Sequence, residues 1–169
     1  YEKLKEVKPD VIVHCGDLAH TKTQISPEFV QMCSDFLRNL ADIAPTYVLL
    51  GNHDGLVKNS SRLDSISPIV ESLAHKDLHL LKDSQEVLVS ENFSLNALSM
   101  FDEENWLEPS DLTRVNIAMY HGSIKGCTTD SGWVMDFGDN EVDIFENFDY
   151  ALLGDIHLSN QALDKEGRV

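Results

Sequence analysis

Residues 46–54 read Thr-Tyr-Val-Leu-Leu-Gly-Asn-His-Asp. An apolar run of strand length ends on a glycine, and then an amide, an imidazole and a carboxylate stand side by side. The same event recurs three times. Val11-Ile12-Val13-His14-Cys15 runs into Gly16-Asp17, Asn116-Ile117-Ala118-Met119-Tyr120 into His121-Gly122, and Tyr150-Ala151-Leu152-Leu153 into Gly154-Asp155-Ile156-His157. In α/β sheets ligands bind at the carboxyl ends of strands, so these four ends are expected to converge on one crevice.

Around them strands alternate with helices. The pattern predicts a helix over 1–8, strands over Asp10–Cys15 and Thr46–Leu50, and a helix from Pro27 to Asp42 with Ser26 as its cap. A helix over Arg62–Ala74 and a strand near Leu78–Leu81 follow. Glu86–Ser90 and Phe93–Met100 read as a hairpin or meander, and Arg114–Tyr120 and Tyr150–Leu153 as strands. Asp-Lys-Glu-Gly (164–167) signals a turn between two short strands at the end of the chain. No linker or repeat interrupts this order, which predicts one α/β domain over 1–169.

The segment Asp130–Asp149 stands apart: seven acidic residues, no Lys or Arg, and the aromatics Trp133, Phe137, Phe145 and Phe148. It reads as an ordered loop with a short helix packed on the core, with a lid or partner surface as the alternative.

The residue types at the strand ends indicate a kind of chemistry. Oxygen and imidazole donors without thiolate suit manganese, iron or zinc better than an all-oxygen calcium cage. A carboxylate such as Asp17 can bridge two cations, and paired metals can activate water and stabilise both oxygens of an in-line phosphoryl transfer. His53 is then available as general acid, with Asp54 orienting its ring. A lone Gly-Asp is ordinary turn chemistry, and His121 or His157 alone would more often be structural. The four ends together, in this order, favour a metal site. His75 and His79 sit at a helix-to-strand junction and read as structural or surface residues, and His14 as buried beside the site.

Bulk properties agree with a globular protein: 42% of residues are hydrophobic and 25% charged, and no run of about 18 apolar residues crosses a membrane. Three cysteines without a Cys-x-x-Cys pair suit a reducing, intracellular compartment, cytoplasmic or nuclear. The net charge of −16 excludes a broad basic face for nucleic acid, so a polyanionic substrate needs local attraction such as bound cations.

Gly16-Asp17, Gly51-Asn52-His53-Asp54, His121-Gly122 and Gly154-x-x-His157 resemble the second to fifth motifs of the calcineurin-like metallophosphoesterases. Within that superfamily the chain is most similar to SbcD-type nucleases of DNA double-strand-break repair. Gly16-Asp17-Leu18-Ala19-His20 is similar to their Gly-Asp-Leu-Phe-His, and Tyr120-His121-Gly122-Ser123 and Gly154-Asp155-Ile156-His157 resemble phage-like variants. The resemblance implies a four-layer α/β/β/α sandwich carrying two divalent ions, usually manganese. Asp17 would bridge both ions, Asn52 and His121 would bind one, and His157 the other. His53 would be the catalytic acid and His20 would stand near the scissile phosphate.

Two features depart from the family pattern. The opening Asp-x-His motif has no counterpart upstream of Asp17, so the chain is expected to be a fragment whose first strand precedes Tyr1, with weakened binding of one ion or no activity. Asp155 stands where most of the superfamily has histidine, and aspartate is also an oxygen ligand.

The function expected is a metal-dependent phosphodiesterase, a DNA exo- and endonuclease subunit of recombination and repair. DNA is the expected partner, together with an SMC-like ATPase of the SbcC type and a second copy of the chain. Lys22, Lys58, Arg62 and Lys125 are candidates for phosphate contact. The alternatives are a phosphoprotein phosphatase or small-nucleotide phosphodiesterase on the same metal core, and a scaffold that has lost catalysis.

Overall fold

Ile12–Cys15 (β1), Thr46–Leu49 (β2) and Leu78–Leu81 (β3) pair in parallel, in the order β1-β2-β3, in a computed structural model of the chain. The residues described are 1–21, 24–59, 62–159 and 161–169. They divide into two compact units, Tyr1–Lys82 and Asp83–Val169.

In the first unit β2 is the central strand, and Thr46, Val48, Leu49 and Leu50 are completely buried. Parallel strands covered by helices require such continuous apolar runs. The described residues of this unit form the helices α1 (Glu2–Val7), α2 (Pro27–Ala41) and α3 (Ser67–Leu73). Ser26 caps α2 by accepting the Phe29 N–H at 3.2 Å, and Pro27 occupies the first turn, where its missing N–H costs no bond. Cys33, Leu37, Leu40 and Ala41 form the buried stripe of α2 at helical spacing.

The helix expected over Arg62–Ala74 begins only at Ser67. Pro68 tolerates helix only in its first turn, and the Asp64 carboxylate takes the N–H groups of Ile66 and Ser67 at 2.9 and 2.6 Å. The same carboxylate accepts the Ser67 hydroxyl at 2.7 Å and pairs with Lys82 at 3.2 Å.

The second unit holds a mixed sheet ordered β4-β5-β6-β7, from Gln85–Ser90, Phe93–Leu98, Val115–His121 and Tyr150–Gly154. β4 and β5 form the expected antiparallel hairpin, with a bulge between Leu88 and Ser90. β5, β6 and β7 are parallel, which sets His121 opposite Gly154. The core joins Leu98, Ala118, Tyr120, Ile124, Phe145, Phe148 and Ala151. Tyr120 lies edge-to-face with Trp106 and Phe145, at centroid distances of 5.7 and 5.8 Å. A buried polar ladder crosses the sheet: Asn96 donates to Ser94 at 3.0 Å, whose hydroxyl donates to Asn116 at 2.7 Å.

The acidic segment forms the ordered loop that its composition predicted. Its short 3₁₀ turn, Val142–Phe145, buries Phe145, and Phe148 is buried beside it. The two short strands expected within 161–169 do not form among the described residues. The turn does: Asp164 accepts the Arg168 N–H at 2.8 Å, and the Arg168 carbonyl accepts the Ala151 N–H at 3.0 Å. The alternation of strands and helices gives the α/β class expected, with a parallel sheet in one unit and a mixed sheet in the other. No helix among the described residues is long and apolar enough to cross a membrane.

Asp64 gives a test of this architecture. Burial alone would raise its pKa, but the Ser67 hydroxyl and N–H, the Ile66 N–H and Lys82 together hold it below the usual carboxylate value. A carboxyl depressed in the fold stabilises above its unfolded pKa of about 3.9, and that contribution is lost as pH falls through the folded value. Asp64→Asn is expected to lower stability by about 1–3 kcal/mol at pH 7. In urea titrations across pH the gap from the parent should close below about pH 4. A gap that persisted undiminished to pH 2 would contradict the ionic role.

Candidate metal centre

The chain leaves β1 through two consecutive left-handed residues, Gly16 at φ 91° and Asp17 at φ 60°. Glycine adopts that region freely, whereas a β-carbon makes it costly, by about 1–2 kcal/mol. Asp17 is followed by a second restraint: its own N–H donates to Asp54 Oδ2 at 2.8 Å. Asp54 is fully buried, and it also accepts the Gly51 N–H on Oδ2 at 2.9 Å and the Ala19 N–H on Oδ1 at 2.8 Å. Burial pushes its pKa up, the three amides pull it back, and the neighbouring Asp17 charge adds to the rise. One carboxylate thus ties the loop after β1 to the loop after β2.

The sequence reading gave Asp54 the task of orienting His53. The structure gives that task to the His20 carbonyl, which lies 2.7 Å from His53 Nδ1. A carbonyl only accepts, so Nδ1 carries the proton and Nε2 is the nitrogen left to bind or release one. The His20 and His53 rings stack at 6.2 Å, and both are exposed. The His53 N–H donates to Asp17 Oδ1 at 2.9 Å, so the loop that carries the imidazole also aims the carboxylate. Asn52, half-buried, stands between Gly51 and His53 in the same turn. Asp17, His20, Asn52, His53 and Asp54 are therefore brought together within the first unit.

The other histidines and the thiols have different surroundings. His14 meets Phe36 edge-on at 5.9 Å, His75 Nε2 lies 3.3 Å from Asp42, and His79 stacks on Tyr47 at 4.8 Å. Burial pushes the Cys15 thiol to about 12 and the Cys33 thiol to about 11, so neither is a thiolate donor at neutral pH.

In the second unit β6 delivers His121, almost fully buried, and β7 delivers Asp155, at φ 70°. His121 Nε2 and Asp155 Oδ1 are 4.0 Å apart. Two donors about 2.0–2.2 Å from one ion at a tetrahedral angle lie about 3.4 Å apart, so a small closing of the pair would let both reach one cation. Gly122 follows His121, and any β-carbon there would run into the Tyr120 hydroxyl. That hydroxyl is fixed by the Asn140 amide at 3.0 Å, and burial pushes its pKa to about 12. His157 is exposed and lines, with Asp155, a pocket of about 220 Å³.

The sequence reading did not find the wall of this pocket. Residues 126–135 form a small hairpin: the Gly126 N–H donates to Met135, Met135 to Cys127, and Thr129 to Trp133, at 2.8–2.9 Å. Gln161 clasps it through the Thr128 N–H and carbonyl at 2.7 and 3.0 Å. Gly138 packs so closely on the backbone of Ile124 and Lys125 that a β-carbon has no room. Only the high turn content hinted at a hairpin.

Carboxylates, an amide and imidazoles at strand ends, two of the aspartates in left-handed backbone, are a donor set that fits divalent cations. Of the basic candidates for phosphate contact, Lys58 and Arg62 are exposed, Lys125 is bonded to Glu141 at 2.7 Å, and Lys22 lies outside the described residues.

Backbone strain at a carboxylate separates structural from functional roles. Asp155→Gly removes the β-carbon from a left-handed position and is expected to leave stability unchanged or raise it by up to about 1 kcal/mol. Manganese affinity measured by titration calorimetry should fall at the same time. Lost stability with unchanged affinity would show Asp155 to be a turn residue only.

The calcineurin-like phosphoesterase family matches residues 1–159 of the chain. Uncharacterized protein R555 of Acanthamoeba polyphaga mimivirus is 34% identical over 158 residues, covering 87% of this chain. The aligned part is only 12% of that relative's length, so the chain corresponds to a small portion of it. The family match over nearly the whole chain, with motifs carried on the strand ends described above, shows that the chain belongs to the calcineurin-like phosphoesterases, a family of metal-dependent phosphoester hydrolases.

Proposed function

We propose that the chain is the catalytic core of a metal-dependent phosphodiesterase acting on DNA, an exo- and endonuclease of the SbcD type. The observation that carries the hydrolytic reading is the His53 imidazole, held through Nδ1 by a backbone carbonyl and tied through its own N–H to Asp17. A purely structural cation site has no use for an exposed imidazole whose second nitrogen is kept for a proton. The DNA reading rests on the resemblance of Gly16-Asp17-Leu18-Ala19-His20, Tyr120-His121-Gly122-Ser123 and Gly154-Asp155-Ile156-His157.

In this proposal Asp17, Asn52, His121, Asp155 and His157 hold two divalent cations, manganese first among them. When bound, such cations supply Lewis acidity to the phosphoryl group and make water a better nucleophile. The residues of the chain do the rest. Asp54 fixes the loops from which Asp17, Asn52 and His53 project. His53, its Nδ1–H held by the His20 carbonyl, gives a proton from Nε2 to the leaving oxygen and is reprotonated from solvent. His20 stacks beside it and limits the ring's rotation. An SMC-like ATPase of the SbcC type and a second copy of the chain are the proposed partners.

A second reading, a small-nucleotide phosphodiesterase, is favoured by one observation: the pocket beside Asp155 and His157 is small, and its wall carries Asp130 and no cation. The two readings separate in one experiment. End-labelled linear duplex DNA is incubated with the protein and manganese, alongside His53→Ala and an EDTA control. The nuclease reading expects degradation that EDTA abolishes and that His53→Ala slows by about 10²–10⁴-fold. Cleavage of a cyclic or linear dinucleotide without cleavage of DNA would establish the second reading instead. Equal rates for His53→Ala and the parent would remove His53 from the chemistry.

A further inference from the structure

We propose that Trp133 and Phe137, on and beside the hairpin that walls the pocket lined by Asp155 and His157, form a stacking platform for a nucleobase of the substrate. It rests on the phosphodiester reading for its substrate class, and on the hairpin for its geometry. Of the four large aromatics in the acidic segment, Phe145 and Phe148 complete the core at 2% and 4% exposure. Trp133 and Phe137 stay outside at 47% and 67%, their rings edge-to-face at 5.9 Å.

The position is ordered. The Thr129 hydroxyl accepts the Trp133 N–H at 3.2 Å, and the Trp133 carbonyl accepts the Thr129 N–H at 2.8 Å, closing the turn under the indole. Side chains alternate across a hairpin, so Trp133 stands on the same face as Met135 and its cross-strand neighbour Cys127. Those two touch through their sulfurs at 3.4 Å and line the pocket with Asp155 and His157. The hairpin that carries the indole therefore also supplies the pocket wall.

Charge decides which part of a nucleotide this surface takes. From Asp130 to Asp149 there is no Lys or Arg, and Lys125, which precedes the segment in the chain, is engaged by Glu141. A phosphate is repelled here, whereas a neutral ring gains from aromatic stacking, which is tolerant of base identity. The platform would hold one base while the attached phosphate points away from the acidic loop.

The base-binding step is testable without metal. Protein in EDTA is titrated with adenosine, and with ribose 5-phosphate as control, following tryptophan fluorescence. Trp106, whose indole N–H is bonded to the Ser99 carbonyl, gives the constant background. Adenosine should quench the Trp133 signal and ribose 5-phosphate should not. Phe137→Ala should weaken adenosine binding by about tenfold, and Trp133→Phe should retain it by calorimetry. With manganese, Trp133→Ala should raise KM about tenfold for a single-stranded oligonucleotide and leave KM unchanged for one carrying an abasic site at the cleaved position. No quenching by millimolar adenosine, or an equal KM change on both oligonucleotides, would overturn the platform. Quenching without hydrolysis of either oligonucleotide would support the platform and count against the nuclease.

Discussion

A single buried carboxylate organises the strand-end loops of the first unit. Asp54 accepts N–H groups from Asp17, Ala19 and Gly51, and so joins the loops that follow two neighbouring parallel strands. Three amide donors on one carboxylate offset part of the cost of burying its charge and join the two loops. Everything proposed for Asp17, Asn52 and His53 depends on that junction, because Asp54 holds the Asp17 amide, Asn52 adjoins Gly51 and His53 adjoins Asp54 itself. The backbone strain at Asp17 persists for the same reason: the surroundings fix the left-handed turn from both sides.

Much of this could be read from residues alone. Apolar runs followed by glycine within two residues located β1, β2, β6 and β7, since parallel strands favour such apolar stretches. The Ser26-Pro27 start of α2 followed from capping chemistry in the same way. The Arg62 start of the third helix did not form, because Pro68 and the Asp64 carboxylate define a later N-terminus that helical periodicity cannot weigh. Asp54 was read as the residue that orients the His53 ring, a task the structure gives to a backbone carbonyl. Its three bonds go to backbone amides, which carry no side-chain signal, and a carbonyl of His20 takes the imidazole instead.

The second unit shows the same economy at its strand ends and a different one around them. His121 is placed by the parallel register of β6 and β7, and Gly122 is required by the Tyr120 hydroxyl beside it. The acidic loop then supplies a pocket wall by turn hydrogen bonds rather than by a strand, with its two outer aromatics unburied. Its composition announced an ordered loop but not which two rings would face out, because that choice depends on the hairpin register between Cys127 and Met135. An overall charge of −16 becomes intelligible if cations and neutral rings, rather than lysines, receive the substrate.

The most direct measurement is crystallographic: crystals soaked in manganese, with data collected at the manganese absorption edge. The account predicts anomalous peaks in coordination contact with the Asp17 carboxylate and with His121 Nε2, and no ordered peak at Asp54. Manganese absent from both ligands, or present only on surface carboxylates such as those of the acidic loop, would contradict a metal centre at the strand ends and the hydrolytic function built on it.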